Sequence, residues 1–205
     1  MTSSHPRNAT TPDRAALRST LRHRRQCLSR VEQRRAALLL CRRLSKLPAF
    51  WRSQHIAAYW ASDGEIDLQP LIATAWRAGK QIYLPVITGH RRMEFRRFQR
   101  GERLVSNRFG IAEPQASAEK VDVSELDLLI APLVGFDRRG NRLGMGGGYY
   151  DRALQTVSRR LYRPQLIGAA HSCQQVDAIV PQPWDRSLQA VVTEREYIVC
   201  APGRG

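Results

Sequence analysis

The stretch RLGMGGGYYDR, residues 142–152, places four glycines within five positions, between an arginine and a tyrosine pair followed by an aspartate. Because glycine has no β-carbon, such a backbone can approach a bulky anion closely and turn its N–H groups toward it. The apolar run before it, at residues 127–137, predicts a strand, and the pattern at residues 149–160 predicts a helix. A loop that leads from a strand into a helix presents an anion to the helix N-terminus, so the pattern predicts a phosphate site.

The spacing of the glycines differs from the two common phosphate-binding motifs. A dinucleotide fingerprint needs GxGxxG, but Tyr149 stands at the last position, and a P-loop would end in Gly-Lys followed by Ser or Thr. Glycine-rich turns also occur as plain hairpin or helix-start geometry. Arg142 and Asp151 at the two ends favour the phosphate interpretation, since arginine binds phosphate oxygens and a carboxylate can bind magnesium.

The composition is that of an ordinary globular protein. With 205 residues, 42% hydrophobic and 25% charged, we expect a single domain at residues 12–200 between disordered tails at 1–11 and 201–205. No apolar run reaches the ~20 residues of a membrane-spanning helix and no secretory signal is evident, so we expect a cytoplasmic protein without membrane partners. Four separated cysteines without a CxxC pair predict buried, reduced thiols.

The net charge of +15 is concentrated near the N-terminus. Residues 1–52 hold 13 Lys and Arg against two acids, or +11, which leaves +4 for the remaining chain. Such a segment can grip a nucleic-acid backbone, attract a polyanionic small substrate, or form a solvated surface. Residues 1–30 also have the composition of a transit peptide, but apolar residues continue at helical spacing and favour a folded helix.

The remaining patterns predict an α/β protein opened by two basic helices. Helices are expected at residues 15–27, 31–47, 67–79 and 149–160, with Ser29 and Asp67 as N-caps. Strands are expected at residues 55–60, 81–87, 93–98, 127–137, 165–170, 190–193 and 196–200, the third of them at an edge and residues 110–114 in a loop. This order implies a three-layer α/β sandwich around a mainly parallel sheet. Ligands bind beyond the carboxyl ends of such strands, where Glu65, the glycine loop and the segment after Ala170 fall.

Six short segments, spread along the chain, are informative when they are taken together. They are LR at residues 17–18, YWASDGEID at 59–67, YLPVI at 83–87, GIAEP at 110–114, RLGMGGGYYDR at 142–152 and VPQPWDRSLQAVVTE at 180–194. Together they make residues 14–197 resemble the 5-formyltetrahydrofolate cyclo-ligase (5,10-methenyltetrahydrofolate synthetase) family. The resemblance implies a cytosolic, ATP- and Mg²⁺-dependent enzyme with a Rossmann-like α/β fold that converts 5-formyltetrahydrofolate to 5,10-methenyltetrahydrofolate.

The reaction implied by the resemblance needs no nucleophilic side chain. The formamide oxygen is a poor leaving group, and transfer of the ATP γ-phosphoryl group to it makes an iminium phosphate that N10 of the folate can attack. Phosphate then leaves, and ADP is the other product. Such a transfer depends on positioning and charge neutralisation, which suits a site of backbone N–H groups, arginines and a metal ion.

The resemblance also assigns residues to the site. Arg142 and Tyr149 are implied as catalytic, and Asp151 and Asp185 as Mg²⁺ ligands. The implied ATP contacts are Arg14, Arg18, Arg142, Leu143, Gly144, Met145, Gly146, Gly147, Gly148, Tyr149 and Tyr150. The implied folate contacts are Trp60, Glu65, Met145, Gly146, Gly147, Gly148 and Tyr149.

Several of these assignments have a simpler alternative in the residues themselves. Asp151 fits a helix-start acid favoured by the helix dipole, Asp185 a turn residue, and Trp60 a core residue. Glu65 also fits a capping box, although the helix is expected to start later. Arg14 stands where the family commonly has Lys, and the two side chains differ in geometry.

The expected partners are a folate and ATP, bound by a monomer. The alternative function is nucleic-acid binding by residues 14–52, although that segment has few aromatic residues for base stacking. A third possibility is a sugar-phosphate or coenzyme A enzyme of the same architecture, for which His171 is the candidate acid or base.

Overall fold

The computed structural model describes residues 13–155 and 164–200. Its helices are α1 Arg14–Gln26, α2 Arg30–Leu44, α3 Pro48–Arg52, α4 Gln69–Arg77 and α5 Tyr149–Gln155. Its strands are β1 His55–Ala57, β2 Gln81–Gly89, β3 Arg92–Arg97, β4 Val105–Ser106, β5 Ala112–Glu113, β6 Lys120–Val121, β7 Leu128–Pro132, β8 Gly135–Phe136, β9 Arg142–Leu143, β10 Gln165–Ala169, β11 Ala190–Val192 and β12 Tyr197–Val199. The predicted tails, and the end of the helix predicted at 149–160, lie outside the described residues.

The main sheet has the strand order β12-β11-β10-β7-β1-β2-β3-β6. The five neighbours from β11 to β2 run parallel, and β12, β3 and β6 pair antiparallel at the two sides. Side chains of α2, α3 and α4 bury one face of the sheet, whereas α5 packs on the other. The predicted three-layer α/β sandwich with a mainly parallel sheet is confirmed.

The central strand β7 explains why the sheet must be covered on both faces. Leu128, Leu129, Ile130 and Ala131 are all at most 1% exposed, and alternate members of this run belong to the two opposite hydrophobic clusters. A strand with no polar face can exist only between two layers. Burying each leucine or isoleucine side chain contributes about 1.5–3 kcal/mol, so this run is a large part of the core energy.

The two opening helices form where the apolar spacing and the Ser29 cap predicted them. Asp13 accepts a hydrogen bond from the amide of Ala15 at 3.0 Å and begins α1. Ser29 begins α2 in a full capping box, because its amide donates to Glu32 Oε2 at 2.8 Å and its hydroxyl accepts the Glu32 amide at 3.3 Å. The prediction of two basic helices is therefore confirmed, with each helix ending one to three residues earlier than expected.

Several sequence-based boundaries were wrong. The predicted edge strand, β3, is covered by β6, which has two residues and is too short to carry a periodic pattern. The predicted loop at 110–114 contains β5, which pairs with β4. The strand predicted at 127–137 is broken after Pro132 into β7 and β8. Helix α3 was not predicted, since five residues give no helical period.

The cysteine prediction was partly wrong. All four thiols are free, as expected, but Cys27 is exposed, Cys41 and Cys173 are half-buried, and Cys200 is buried. In the part of the chain that the structure describes, no helix is long and apolar enough to cross a membrane.

Candidate active site

The predicted site segments meet at the carboxyl edge of the parallel strands. Glu65 follows β1, the glycine loop follows β7 through the β8–β9 hairpin, and His171 follows β10. The turn of the hairpin is held by the fully buried Asp137, whose carboxylate accepts the amides of Asn141 and Ile179 at 2.9 Å each. The rigid hairpin therefore presents residues 144–148 in a defined place.

The glycine loop has a shape that side chains would disturb. Gly146 and Gly148 have φ angles of 98° and 65°, a region that residues other than glycine rarely adopt. A β-carbon on Gly147 would lie 2.6 Å from the ring of Tyr149. The glycines are thus needed for the path of the chain, in addition to any close approach of a ligand.

Arginines bind the carbonyl groups of this loop and leave its amides unused. Arg18 Nε donates to the carbonyl of Gly144 at 2.8 Å, and Arg152 Nη1 donates to those of Gly147 and Gly148 at 2.9 and 3.2 Å. Within residues 13–155 and 164–200, no hydrogen bond has an amide of residues 144–148 as its donor. Free N–H groups beside two guanidinium groups favour an anion.

Arg142 lies at the base of the loop and is 7% exposed. Its guanidinium donates to Asp151 Oδ1 and to the carbonyl of Arg186. Burial lowers the pKa of Arg142, and the negative charges of Asp151 and Asp185 oppose that effect. Arginine stays charged in proteins, so a positive charge is held in a poorly solvated place beside the free amides.

A second arginine–carboxylate pair lies beside the first. Arg14 Nη1 and Nη2 donate to Asp185 Oδ2 at 3.2 and 3.1 Å, and the amide of Gln182 donates to the same oxygen at 3.0 Å. The structure thus brings Arg14, Arg18, Arg142, Asp151 and Asp185 together around one loop. Each predicted metal carboxylate is paired with a predicted nucleotide arginine.

The two carboxylates suit Mg²⁺ when a nucleotide supplies further ligands. Their described bonds use Asp151 Oδ1 and Asp185 Oδ2, so the second oxygen of each can face a cation. Mg²⁺ is typically held by one or two carboxylates together with substrate phosphates and water. Among the described residues no cluster of three or more His, Cys, Asp and Glu forms a complete metal site. A cation here would therefore depend on bound phosphate.

Glu65 belongs to a turn that is not a helix cap. Its Oε2 accepts the amide and hydroxyl of Ser62 at 3.1 and 3.4 Å, whereas α4 begins at Gln69, whose amide donates to Asp67 at 2.8 Å. The later helix start was expected, but the N-cap is Leu68 and not the predicted Asp67, because the helix begins two residues after Asp67. Burial raises the pKa of Glu65, since only 12% of its side chain is exposed. A buried carboxyl with a raised pKa at a ligand edge is a candidate functional group.

Tyr150 lies near enough to both Glu65 and Arg142 to be affected by their charges. Its hydroxyl is buried without a hydrogen-bond partner, and its ring packs against Phe95 at 6.5 Å between centroids. Burial raises the pKa of the Tyr150 phenol; the negative charge of Glu65 adds to this effect, and Arg142 opposes it. The phenol therefore stays neutral and can donate a hydrogen bond to a ligand.

Trp60 and His171 are not joined to the glycine loop by any described contact. Trp60 is half-buried and packs edge-on against Phe98 at 5.7 Å, as the core alternative predicts. His171 is 1% exposed, and although the backbone of Gly64 lies close to its ring, neither ring nitrogen makes a hydrogen bond of normal geometry. Burial lowers the pKa of His171 and keeps it neutral.

Sequence reasoning missed several residues at this edge. Arg152 holds two loop carbonyls, and its place at the end of the glycine motif was the available signal. Trp184 is 58% exposed beside Asp185, a rare position for a large aromatic side chain. In α1, Arg22 and Arg25 lie four and seven residues after Arg18, a helical spacing that places them on the face that contacts the site.

A groove of about 760 Å³ lies at the opposite, amino edge of the same strands. It is lined by residues that precede or begin β1, β7 and β10, including Arg52, Ser53, Leu126, Asp127 and Gln165. The predicted site residues do not line it. Its residues lack the convergent charges and free amides of the carboxyl edge, so its volume alone does not indicate the reaction site.

Comparisons with known proteins match nearly the whole chain and its fold. The 5-formyltetrahydrofolate cyclo-ligase family is matched over residues 10–194. The 5-formyltetrahydrofolate cyclo-ligases of Escherichia coli (strain K12) and Haemophilus influenzae are 41% and 37% identical, over 84% and 87% of this chain and 96% of each relative. The NMR structure of the 5,10-methenyltetrahydrofolate synthetase of Aquifex aeolicus has a TM-score of 0.81 at 33% identity, over 94% of this chain and 95% of that one.

Proposed function

The chain belongs to the 5-formyltetrahydrofolate cyclo-ligase family, and from this premise we propose that it converts 5-formyltetrahydrofolate to 5,10-methenyltetrahydrofolate with ATP as co-substrate. The observation that carries the proposal is the glycine loop with its unused amides, beside Arg14, Arg18 and Arg142 and the carboxylates of Asp151 and Asp185. A triphosphate needs this combination of N–H donors, fixed positive charges and cation ligands.

In the proposed site the loop and its arginines bind the ATP phosphates. The amides of residues 144–148 donate to phosphate oxygens, and Arg18 and Arg14 add charge from the side of α1. Asp151 and Asp185 would hold Mg²⁺, which neutralises negative charge on the phosphates. Because these carboxylates pair with Arg142 and Arg14, both guanidinium groups are held beside the proposed phosphate site.

Arg142 is the proposed catalytic cation. As the γ-phosphoryl group passes to the formyl oxygen, charge spreads over its oxygens, and a buried guanidinium stabilises that charge more than water does. N10 of the folate then attacks the activated carbon and loses its proton, and phosphate leaves with the former formyl oxygen. Tyr149, whose ring lies against Gly147, would close the side of the loop.

Glu65 is proposed to bind the folate. A buried carboxylate that keeps one oxygen for the ligand suits the N–H groups of a pterin ring, and Tyr150 supplies a neutral donor between the two substrates. Met145, 56% exposed on the loop, and Trp60 remain proposed contacts.

The basic N-terminus fits this function without nucleic acid. Arg14, Arg18, Arg22 and Arg25 all bind groups of the protein itself, so much of the charge on α1 faces inward. The comparisons give the nucleic-acid alternative no support. We propose a cytoplasmic enzyme whose partners are the folate and ATP.

The direct test is a substrate-dependent absorbance assay. Purified full-length protein with 5-formyltetrahydrofolate, ATP and Mg²⁺ should produce the near-ultraviolet absorbance of the methenyl product together with stoichiometric ADP and phosphate. Omission of any of the three additions should abolish the signal. ATP hydrolysis without the methenyl product, or no reaction at all, would contradict the proposal.

A further inference from the structure

Arg25 is the most deeply buried cation at the carboxyl edge, with 0% of its surface exposed. Its Nε donates to the carbonyl of Asp63 at 2.8 Å, its Nη2 to Asp63 Oδ2 at 2.8 Å, and its Nη1 to the carbonyl of Leu133 at 3.0 Å. A buried charge is costly unless it is paired and hydrogen-bonded. Arg25 meets that condition by tying α1 to the turn after β1 and to the segment after β7.

Asp63 is held in an unusual backbone conformation by these bonds. Its φ angle is 51°, in the left-handed region that residues other than glycine avoid, and Gly64 follows with 75°. The Asp63 carboxylate also binds Arg22 at 2.7 and 3.1 Å, and Gln26. The hydrogen bond from Arg22 is the main reason that the pKa of Asp63 falls to about 2. Three side chains of α1 thus fix one strained turn, and such strain persists where the surroundings over-determine it.

The turn that is fixed in this way carries Glu65. Glu65 Oε1 lies 3.9 Å from Arg25 Nη1, at the outer limit of an ion pair, while its Oε2 accepts the amide of Ser62 at 3.1 Å. The short bonds of Arg25 go to Asp63 and to the carbonyl of Leu133 instead. Glu65 is therefore oriented by a nearby positive charge without being neutralised by it, and it can still accept hydrogen bonds from a ligand.

We propose that Arg25 and Asp63 are positioning residues of the folate site, which set both the orientation and the charge of Glu65 through the turn at residues 62–65. The inference rests on the proposed function, in which Glu65 accepts N–H groups of the pterin. Neither residue touches substrate; both act through Glu65.

The two residues have opposite electrostatic effects on Glu65. The charged or titratable groups that face Glu65 are Arg25 on α1, Asp63 in the same turn, Tyr59 after β1 and Tyr150 on α5. Loss of the Arg25 charge raises the pKa of Glu65 further, whereas loss of the Asp63 charge lowers it. Folate binding that needs ionised Glu65 weakens as the pH falls and Glu65 is protonated. Without the Arg25 charge this weakening should begin at a higher pH, and without the Asp63 charge it should begin at a lower pH.

The experiment measures the Kd of 5-formyltetrahydrofolate by calorimetry without ATP, on full-length protein, from about pH 5 to about pH 8. Glu65→Gln, Asp63→Asn and Arg25→Gln should each weaken binding about tenfold near neutral pH, the value of one charge-assisted hydrogen bond. The acid midpoint, which is the pH at which half of the affinity gained by ionisation of Glu65 is lost, should rise in Arg25→Gln and fall in Asp63→Asn. The conservative Arg25→Lys should restore the wild-type midpoint, and the Kd of ATP with Mg²⁺ should stay within about twofold in all of them.

Arg97→Gln is the matched control, because it removes an ion pair with Glu119 whose arginine side chain is 35% exposed and leaves the turn at residues 62–65 and its partners in place. It should leave the midpoint unchanged. Thermal unfolding is recorded for each variant, and if Arg25→Gln does not fold, Asp63→Asn decides the matter.

The possible outcomes separate the inference from the proposed function. If Glu65→Gln weakens folate binding but Asp63→Asn and Arg25→Gln leave Kd and midpoint as in the wild type, the positioning role is wrong and the folate site stands. If Glu65→Gln itself has no effect, the assignment of Glu65 is wrong, and the inference fails with it. Shifts of both midpoints in the same direction would also overturn the inference, since they indicate a general loosening of the fold.

Discussion

The two edges of the parallel sheet differ in what they contain: one has the large empty groove, and the other has the groups that can bind a ligand. The amino edge has a groove of about 760 Å³, whereas the carboxyl edge carries the buried arginines, carboxylates and glycine loop. At the amino edge Asp127 and Lys80 are hydrogen-bonded to backbone groups of the protein. Asp127 accepts the amides of Gln54 and His55 at 2.8 Å each, and Lys80 donates to the carbonyls of Trp51 and Ser53 at 3.1 and 2.6 Å.

At the carboxyl edge several polar atoms are buried without a partner. Within the described part of the chain these are the Tyr150 hydroxyl, both ring nitrogens of His171 and Nε of Arg14. Folded proteins satisfy nearly all their buried polar groups, and each exception costs about 1–3 kcal/mol. Their location at the carboxyl edge indicates that unmet hydrogen-bonding capacity, more than volume, distinguishes the edge that suits ligands.

The largest expected effect contrasts the two edges directly. Arg142→Met and Asp151→Ala should each lower kcat at least about 100-fold in the absorbance assay, because each removes a charge at the transferring phosphoryl group. Asp127→Asn, at the other edge, should leave kcat within about twofold. Similar losses in all three variants would show that the contrast between the edges has no functional meaning.

A second prediction concerns stability at the carboxyl edge. Because the pKa of Asp63 is lowered from its usual 3.8 to about 2, its ionised form stabilises the fold by about 2 kcal/mol above pH 4, and this is lost as the pH falls toward 2. Asp63→Asn should therefore lower the free energy of unfolding by that amount at pH 7.

Urea unfolding at pH 7 and near pH 3 provides the measurement, and the deficit of the variant should shrink at the acid pH. A deficit that is the same at both pH values would refute the ionic origin of the effect. The contribution of Glu65 to stability has the opposite sign. Because its pKa is raised, its ionisation lowers the free energy of unfolding as the pH rises.

A third prediction concerns the shape of the glycine loop. In Gly147→Ala the new β-carbon would lie 2.6 Å from the ring of Tyr149, so the loop or the ring must move. The KM for ATP should rise about tenfold, as expected for loss of one well-placed phosphate contact. Gly89→Ala is the control, because a β-carbon there meets nothing within 4 Å. If both substitutions raise the KM for ATP equally, contact with the Tyr149 ring is not the cause.

The smallest expected effect belongs to the amino edge. Asp127→Asn keeps one acceptor oxygen but loses the charge that strengthens two amide hydrogen bonds, so the free energy of unfolding should fall by about 1 kcal/mol. The same sample that shows normal kcat should show this loss in urea unfolding. A kinetic defect without a stability defect would contradict a purely structural role for this edge.

Much of the fold was predictable because its signals are local. The Ser29 cap, the periodicity of α1 and α2 and the apolar runs at β2 and β7 each depend on residues within one element. The failures were also local in origin. Strand β6 has two residues and α3 has five, too few to establish a period, so neither the covered edge of β3 nor the extra helix could be inferred.

The candidate site was predicted in part. The glycine motif and the order of the strands indicated which residues gather at the carboxyl edge, including Glu65 and residues 144–148. The role of Arg152 was missed, although it lies in the same motif. The contacts of Arg25 could not be found in the sequence, since an arginine within a basic helix looks like any other surface charge.

By itself the amino-acid sequence determined the path of the glycine loop, the capped helices and the buried strands, because φ preferences, caps and periodic burial act over a few neighbouring residues. Only the tertiary structure decided which charges meet. Arg14 binds Asp185 across 171 positions of the chain, and Arg25 binds Asp63 across 38. Such pairs, and the burial that shifts the pKa of Glu65 and Tyr150, depend on how all the layers pack together.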